Sequence, residues 1–257
     1  MAALEQALRA RRVQGGKAFV PYLTGGFPGV DADVLRSVAE TGADAIEVGV
    51  PHSDPVMDGG VIQEASSAAL AEGVRPVDVL ATIREASLDV PVAVMTYVNP
   101  VLRRGVDRFL DDAAEAGVSG IIVPDLPVDE AEAFDRACAA KGIDAVLLAA
   151  PGAVPARLEA IAARAHGFVY CVATYGVTGA RETLGTAAGE LVGALRFLTD
   201  LPLLVGVGIG TPQQASEASA FADGVVVGSA LMARLVAGDR DGLLELARDF
   251  RAALPHD

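Results

Sequence analysis

The sequence predicts an α/β fold in which eight parallel strands, each followed by a helix, close into a barrel. Two observations predict it, and one absence supports the closure. Eight short apolar segments alternate with helical patterns along the chain, which argues for a parallel sheet. No linker or composition break divides the 257 residues, and one such barrel takes about 250. An open doubly wound sheet is the rival, but its Gly-x-Gly-x-x-Gly signature is missing after the first strand, where the chain reads Thr24-Gly25-Gly26-Phe27-Pro28. The expected architecture is a (β/α)8 TIM barrel forming one domain over residues 1–257, with an extra N-terminal helix and a short extra helix after strand 8.

The elements follow in order. An amphipathic helix over about 3–12 opens the chain and Gly15-Gly16 ends it. Strands are expected at 18–23, 44–50, 91–97, 118–123, 143–149, 167–172, 202–207 and 224–227. Helical patterns lie at 32–41, 61–70, 76–86, 106–116, 129–140, 155–165, 187–198 and 212–221, then at 229–236 and 241–253. Asp31 is placed to cap a helix, and Thr211-Pro212 sets a cap residue before a proline at the first helical position. Gly42, Gly73, Gly117 and Gly142 fall where helices should end.

Composition narrows the function. Hydrophobic residues make up 52% of the chain, ample for a large core. With 20 basic against 34 acidic side chains the net charge is −14, which argues against nucleic acid or an anionic membrane as partner. The same field would not attract an anionic substrate, so a phosphate site must work through local dipoles. Cys138 and Cys171 sit in apolar segments and suggest no disulfide; with no signal pattern at the N-terminus and no membrane-length apolar run, a cytoplasmic protein is expected.

In such a barrel the active site lies at the C-terminal ends of the strands. The second strand carries one carboxylate, Glu47, inside an apolar run, and the loop after it carries Asp54 and Asp58 before Gly59-Gly60. A charge inside a buried strand is costly unless paired, hydrogen-bonded or protonated. Glu47 could be a satisfied structural acid and Asp58-Gly59 an ordinary turn, or the two acids could converge on one cavity. Glycine clusters end three other strands: Gly176 and Gly179 after strand 6, Gly206, Gly208 and Gly210 at strand 7, and Gly228-Ser229 at strand 8. They could only shape turns. Together, with a helix starting at Ser229, they outline a phosphate cradle of backbone N–H groups. Lys17 and Lys141 are the only lysines and neither sits at a strand top. His52, His166 and His256 are scattered, so no metal centre is expected. Cys171 reads as a buried strand thiol before a nucleophile. Tyr97 and Tyr170 either line the cavity or pack, and Tyr170 shares the barrel mouth with Glu47.

The run Glu47-Val48-Gly49-Val50-Pro51-His52-Ser53-Asp54-Pro55 with Asp58-Gly59, then Pro124-Asp125-Leu126-Pro127, Gly176-Val177-Thr178-Gly179 and 222–229, resembles the tryptophan synthase alpha chain family. The likeness runs in order from Pro21 to Ser229. It implies cleavage of indole-3-glycerol phosphate to indole and glyceraldehyde 3-phosphate, with indole passing to a beta chain in an alpha2-beta2 complex. No cofactor is implied in this chain; pyridoxal phosphate is expected in the partner. The resemblance makes Glu47 the acid–base carboxylate and Asp58 the acceptor of the indole N–H. It makes Thr178 the loop residue that closes over the site, Gly179, Gly208, Gly228 and Ser229 phosphate ligands, and Tyr22 and Tyr170 aromatic neighbours of the substrate. Tyr97 completes the substrate-binding candidates. The loop 51–54, Asn99, Asp125 and Pro127 match surface that meets the beta chain. The chain departs from the family's usual pattern at Gly60, where proline is common, and at Val207, Gly210 and Tyr175. A stand-alone lyase releasing free indole and a non-catalytic phospho-ligand-binding barrel are the alternatives.

Overall fold

The computed structural model describes residues 2–173 and 184–255. Eight parallel strands close a barrel in chain order: β1 (Ala18–Thr24), β2 (Ile46–Gly49), β3 (Val92–Met95), β4 (Val118–Ile122), β5 (Asp144–Ala149), β6 (Val169–Val172), β7 (Leu203–Gly206) and β8 (Gly224–Val227), with β8 pairing back onto β1. The helix Ala3–Val13 precedes the barrel, and Ser229–Val236 and Arg240–Ala253 follow β8. The expected closed (β/α)8 barrel is the one observed.

Side chains alternate across each strand. One set, including Phe19, Ile46, Val48, Ile121, Val169, Cys171 and Val225, packs outward against the helices. The other, Val20, Ala93, Ile122, Val146, Phe168, Tyr170, Leu204 and Val226, fills the barrel interior, where Leu4 and Leu8 of the N-terminal helix join it. Gly120 is where Leu4 inserts, since a Cβ there would overlap the leucine. Around the N-terminal rim three acids tie the N-terminal helix to the barrel. Asp144 accepts Glu5 N–H at 3.0 Å, Asp223 accepts Leu203 N–H at 2.8 Å and pairs with Arg12 Nη1 at 3.6 Å, and Asp44 accepts Phe19 N–H at 2.8 Å and Arg11 Nε at 2.6 Å.

The capping signals took the expected form. Asp31 accepts Val34 N–H at 2.8 Å, and Thr211 and Gln214 form a reciprocal capping box. Gly42, Gly73, Gly117 and Gly142 all take positive φ just past a helix. Most boundaries shift by one to three residues from expectation, and two of the differences have a visible cause. The third strand ends at Met95 and a helix, Val98–Arg104, follows at once. Pro100 hid that helix in the sequence, although proline is tolerated in a first turn. The expected helix over 129–140 starts at Glu132, because Glu130 N–H to Pro127 O (2.9 Å) and Ala131 N–H to Val128 O (3.4 Å) close tight turns first.

Candidate active site

Glu47 points into the barrel because its neighbours Ile46 and Val48 point out. Its register partners are Tyr22 of β1 and Ala93 of β3. It is 1% exposed, and its Oε2 has no hydrogen-bond partner among the described residues. An unpaired charge so placed is strongly disfavoured. Burial, and then the neighbouring charge of Asp58, push the Glu47 carboxyl up from 4.5 to about 8. Asp58 reaches the same cavity from the loop after β2. Burial raises its carboxyl to about 6, against the opposing effect of a hydrogen bond that Tyr97 Oη donates to Oδ2 at 2.8 Å.

The two acids share one cavity, open at the mouth of the barrel. One side is apolar, with Met95, Ile122, Pro124, Leu148, Val172 and Val226. Another holds Gly208, Gly228 and Ser229, with Gly59 beside them. Ser229 opens the helix Ser229–Val236, so that helix's positive end faces this corner. Gly208 has a φ of 97° and follows Val207 at 63°, a conformation that strains a β-branched residue. No lysine or arginine is among the described residues lining the cavity. Lys17 binds Ala222 O at 2.7 Å at the N-terminal rim, and Lys141 pairs with Asp111 on the helical layer.

Tyr22 and Tyr170 line the cavity as buried rings, and burial raises both phenols further above their ordinary value. Each ring occupies a slot left by a glycine on the neighbouring strand: a Cβ at Gly49 would overlap Tyr22, and one at Gly206 would overlap Tyr170. Tyr97, expected on the substrate side, does not line the cavity; it stands behind Asp58. His52 stacks on Tyr97 with ring centroids 4.5 Å apart. Asp54 is exposed outside the cavity. Cys171 faces the helices, and burial pushes its thiol up to about 12, as a structural cysteine requires. Thr178 and Gly179 lie outside the described residues, as does Tyr175.

Sequence reasoning missed the apolar wall. Its signal was available in strand parity: Leu148 and Val172 sit two residues from the inward-facing Val146 and Tyr170. The bond between Tyr97 and Asp58 had no local signal, since 39 residues separate them.

Comparison with known proteins finds relatives along nearly the whole chain. A family model described as tryptophan synthase alpha chain matches residues 8–250. The tryptophan synthase alpha chain of Microcystis aeruginosa is 45% identical over 258 residues, covering 98% of each chain. That of Streptomyces avermitilis is 46% identical over 256 residues, covering 98% of this chain and 92% of the relative. A structure of Mycobacterium tuberculosis tryptophan synthase superposes with a TM-score of 0.90 at 42% identity, covering 98% of both chains. The alpha subunit from Legionella pneumophila gives 0.87 at 31% identity over 98% of both. The chain belongs to the tryptophan synthase alpha chain family, the lyases of tryptophan biosynthesis that cleave indole-3-glycerol phosphate to indole and glyceraldehyde 3-phosphate.

Proposed function

We propose that Glu47 and Asp58 divide the work of this cleavage. Protonated Glu47 delivers its proton to C3 of the indole ring, and the positive charge that develops on the ring is met by ionised Asp58 at the ring N–H. The carboxylate left on Glu47 then takes the proton of the side-chain hydroxyl. The bond to C3 breaks, the hydroxyl carbon becomes the aldehyde of glyceraldehyde 3-phosphate, and the electron pair returns to the indole. Glu47 ends protonated, as it began. The observation that carries this reading is that two carboxyls on one cavity are held apart in acidity, one at about 8 and the other at about 6. Two titratable groups pushed apart by their surroundings can act as acid and base at one pH.

Tyr22 and Tyr170 flank the indole in this reading, while Gly208, Gly228 and Ser229 receive the phosphate together with Gly179. The lysine-free corner at the start of the helix Ser229–Val236 supports an anion held by backbone N–H groups. Thr178 would close over the site, and no metal takes part.

The whole chain acts as one barrel domain, in the cytoplasm, with a beta chain as partner in an alpha2-beta2 complex. Pyridoxal phosphate belongs to that partner. Val56, Leu102 and Val154, on the segments that follow β2, β3 and β5, are exposed apolar side chains that support a covered rim. Among the described residues no helix is long and apolar enough to cross a membrane.

The test is indole release from indole-3-glycerol phosphate, alone and with a beta chain added. Strong activation by the beta chain supports the complex; full turnover alone supports a stand-alone lyase. Glu47→Gln should lose indole formation and keep binding of glyceraldehyde 3-phosphate. Persistent turnover would remove Glu47 from the chemistry.

A further inference from the structure

We propose that Tyr97 is a positioning residue for the cleavage, clamping the Asp58 carboxylate and its loop in place without itself touching substrate. The inference rests on the reading of Asp58 as the partner of the indole N–H.

Three contacts converge on Tyr97. Its hydroxyl oxygen accepts Met57 N–H at 3.0 Å, and its single proton goes to Asp58 Oδ2 at 2.8 Å. Its ring stacks on His52, with an interplanar angle of 16°. Tyr97 is 3% exposed. It sits at the start of the helix Val98–Arg104, whose first N–H, that of Val98, is bound by Asp125 Oδ1 at 2.8 Å. The hydroxyl therefore joins the loop of β2 to an anchored helix end at two successive residues, Met57 and Asp58. That loop has need of an anchor, because Gly59 and Gly60 follow directly and neither supplies a side chain to pack.

The contact also sets a charge state. A phenol that donates to a carboxylate favours the ionised form, and this bond works against the burial that raises Asp58 to about 6. The other titratable groups facing this region are Glu47 of β2, Tyr22 of β1 and Tyr170 of β6; His52 stacks on the Tyr97 ring, and Asp125, bound to Val98 N–H, adds by its charge to the burial that raises the Tyr97 phenol. Only Tyr97 among these is hydrogen-bonded to the Asp58 side chain among the described residues.

The experiment compares Tyr97→Phe with Asp58→Asn in the assembled enzyme, following kcat/KM for indole release across pH. With the hydroxyl gone, kcat/KM at neutral pH should fall about 10- to 100-fold. The acid limb should move up by about one pH unit or more, while the alkaline limb stays in place. Activity would then recover in part as the pH is raised. Asp58→Asn should lose the acid limb and stay low at every pH. An unmoved acid limb in Tyr97→Phe overturns the proposal, whether KM rises, which would make Tyr97 a substrate contact, or nothing changes. Full activity of Asp58→Asn would instead overturn the reading of Asp58 on which it rests. Should Tyr97→Phe fold poorly, His52→Ala removes the stacking support alone and should move the same limb in the same direction by less. No movement there in a folded protein counts equally against the clamp.

Discussion

Glu47 and Tyr22 are register partners on adjacent strands, and the tyrosine ring rests where Gly49, two residues beyond Glu47, has no Cβ. The acid, the ring and the vacancy are thus one device. A methyl group added at residue 49 must push the Tyr22 ring, because the nearest atoms are the phenol itself. Gly49→Ala should therefore cost about 1–3 kcal/mol of stability and lower kcat/KM for indole release. Denaturant unfolding and steady-state kinetics on the same preparation check both. Gly206→Ala should do likewise through Tyr170.

The two carboxyls set a pH profile. If the two acids divide the work as proposed, cleavage needs Asp58 ionised and Glu47 protonated, so kcat/KM should rise through about pH 6 and fall through about pH 8. A profile flat across this window would show that these groups do not limit the reaction.

Stability should run against activity at Glu47. The folded state keeps the Glu47 proton up to about pH 8, whereas the unfolded chain releases it near 4.5. Between those values the folded state binds the extra proton, so its stability falls as pH rises and levels off above about 8. Glu47→Gln removes this loss. The variant should match the parent below about pH 4.5 and exceed it by a few kcal/mol, to order of magnitude, at alkaline pH. Thermal unfolding at both ends of the range reads the difference.

At the opposite rim, Asp44 receives Arg11 Nε, Arg251 Nη1 and Phe19 N–H, and both members of the Asp44–Arg251 pair have side chains only 8% exposed. Removing the Asp44 carboxylate takes a shared acceptor from Arg11 Nε, Arg251 Nη1 and Phe19 N–H in a buried setting, where the loss of one member of an ion pair is costly. Asp44→Ala should destabilise the fold by about 3–5 kcal/mol while the kcat of the folded fraction holds, because the catalytic cavity lies at the other end of the strands. A matching loss of kcat would argue against this division between a stabilising rim and a working rim.

The fold was legible because parallel strands covered on both faces leave a plain record, short apolar runs separated by helical periodicity and ended by glycine or cap residues. Thr211-Pro212 and Asp31 could be read as helix starts since caps act over three or four residues. The helix Val98–Arg104 could not, because it is brief, starts directly after a strand and contains Pro100.

For the site, the sequence by itself determined which chemical groups stand at the strand tops: Glu47 in an apolar strand, Asp58 before two glycines, and glycine-rich ends at strands 7 and 8 with few cations to compete. These follow from local order along the chain. Only the tertiary structure decided that Glu47 and Asp58 share one cavity, that Tyr22 and Tyr170 fill slots opened by Gly49 and Gly206, and that Tyr97 turns its hydroxyl to Asp58 instead of to the cavity. Those relations depend on strand register and on where a loop lands after closure. The free energies that choose them come from burial and hydrogen bonds between segments far apart in sequence, which no local pattern records.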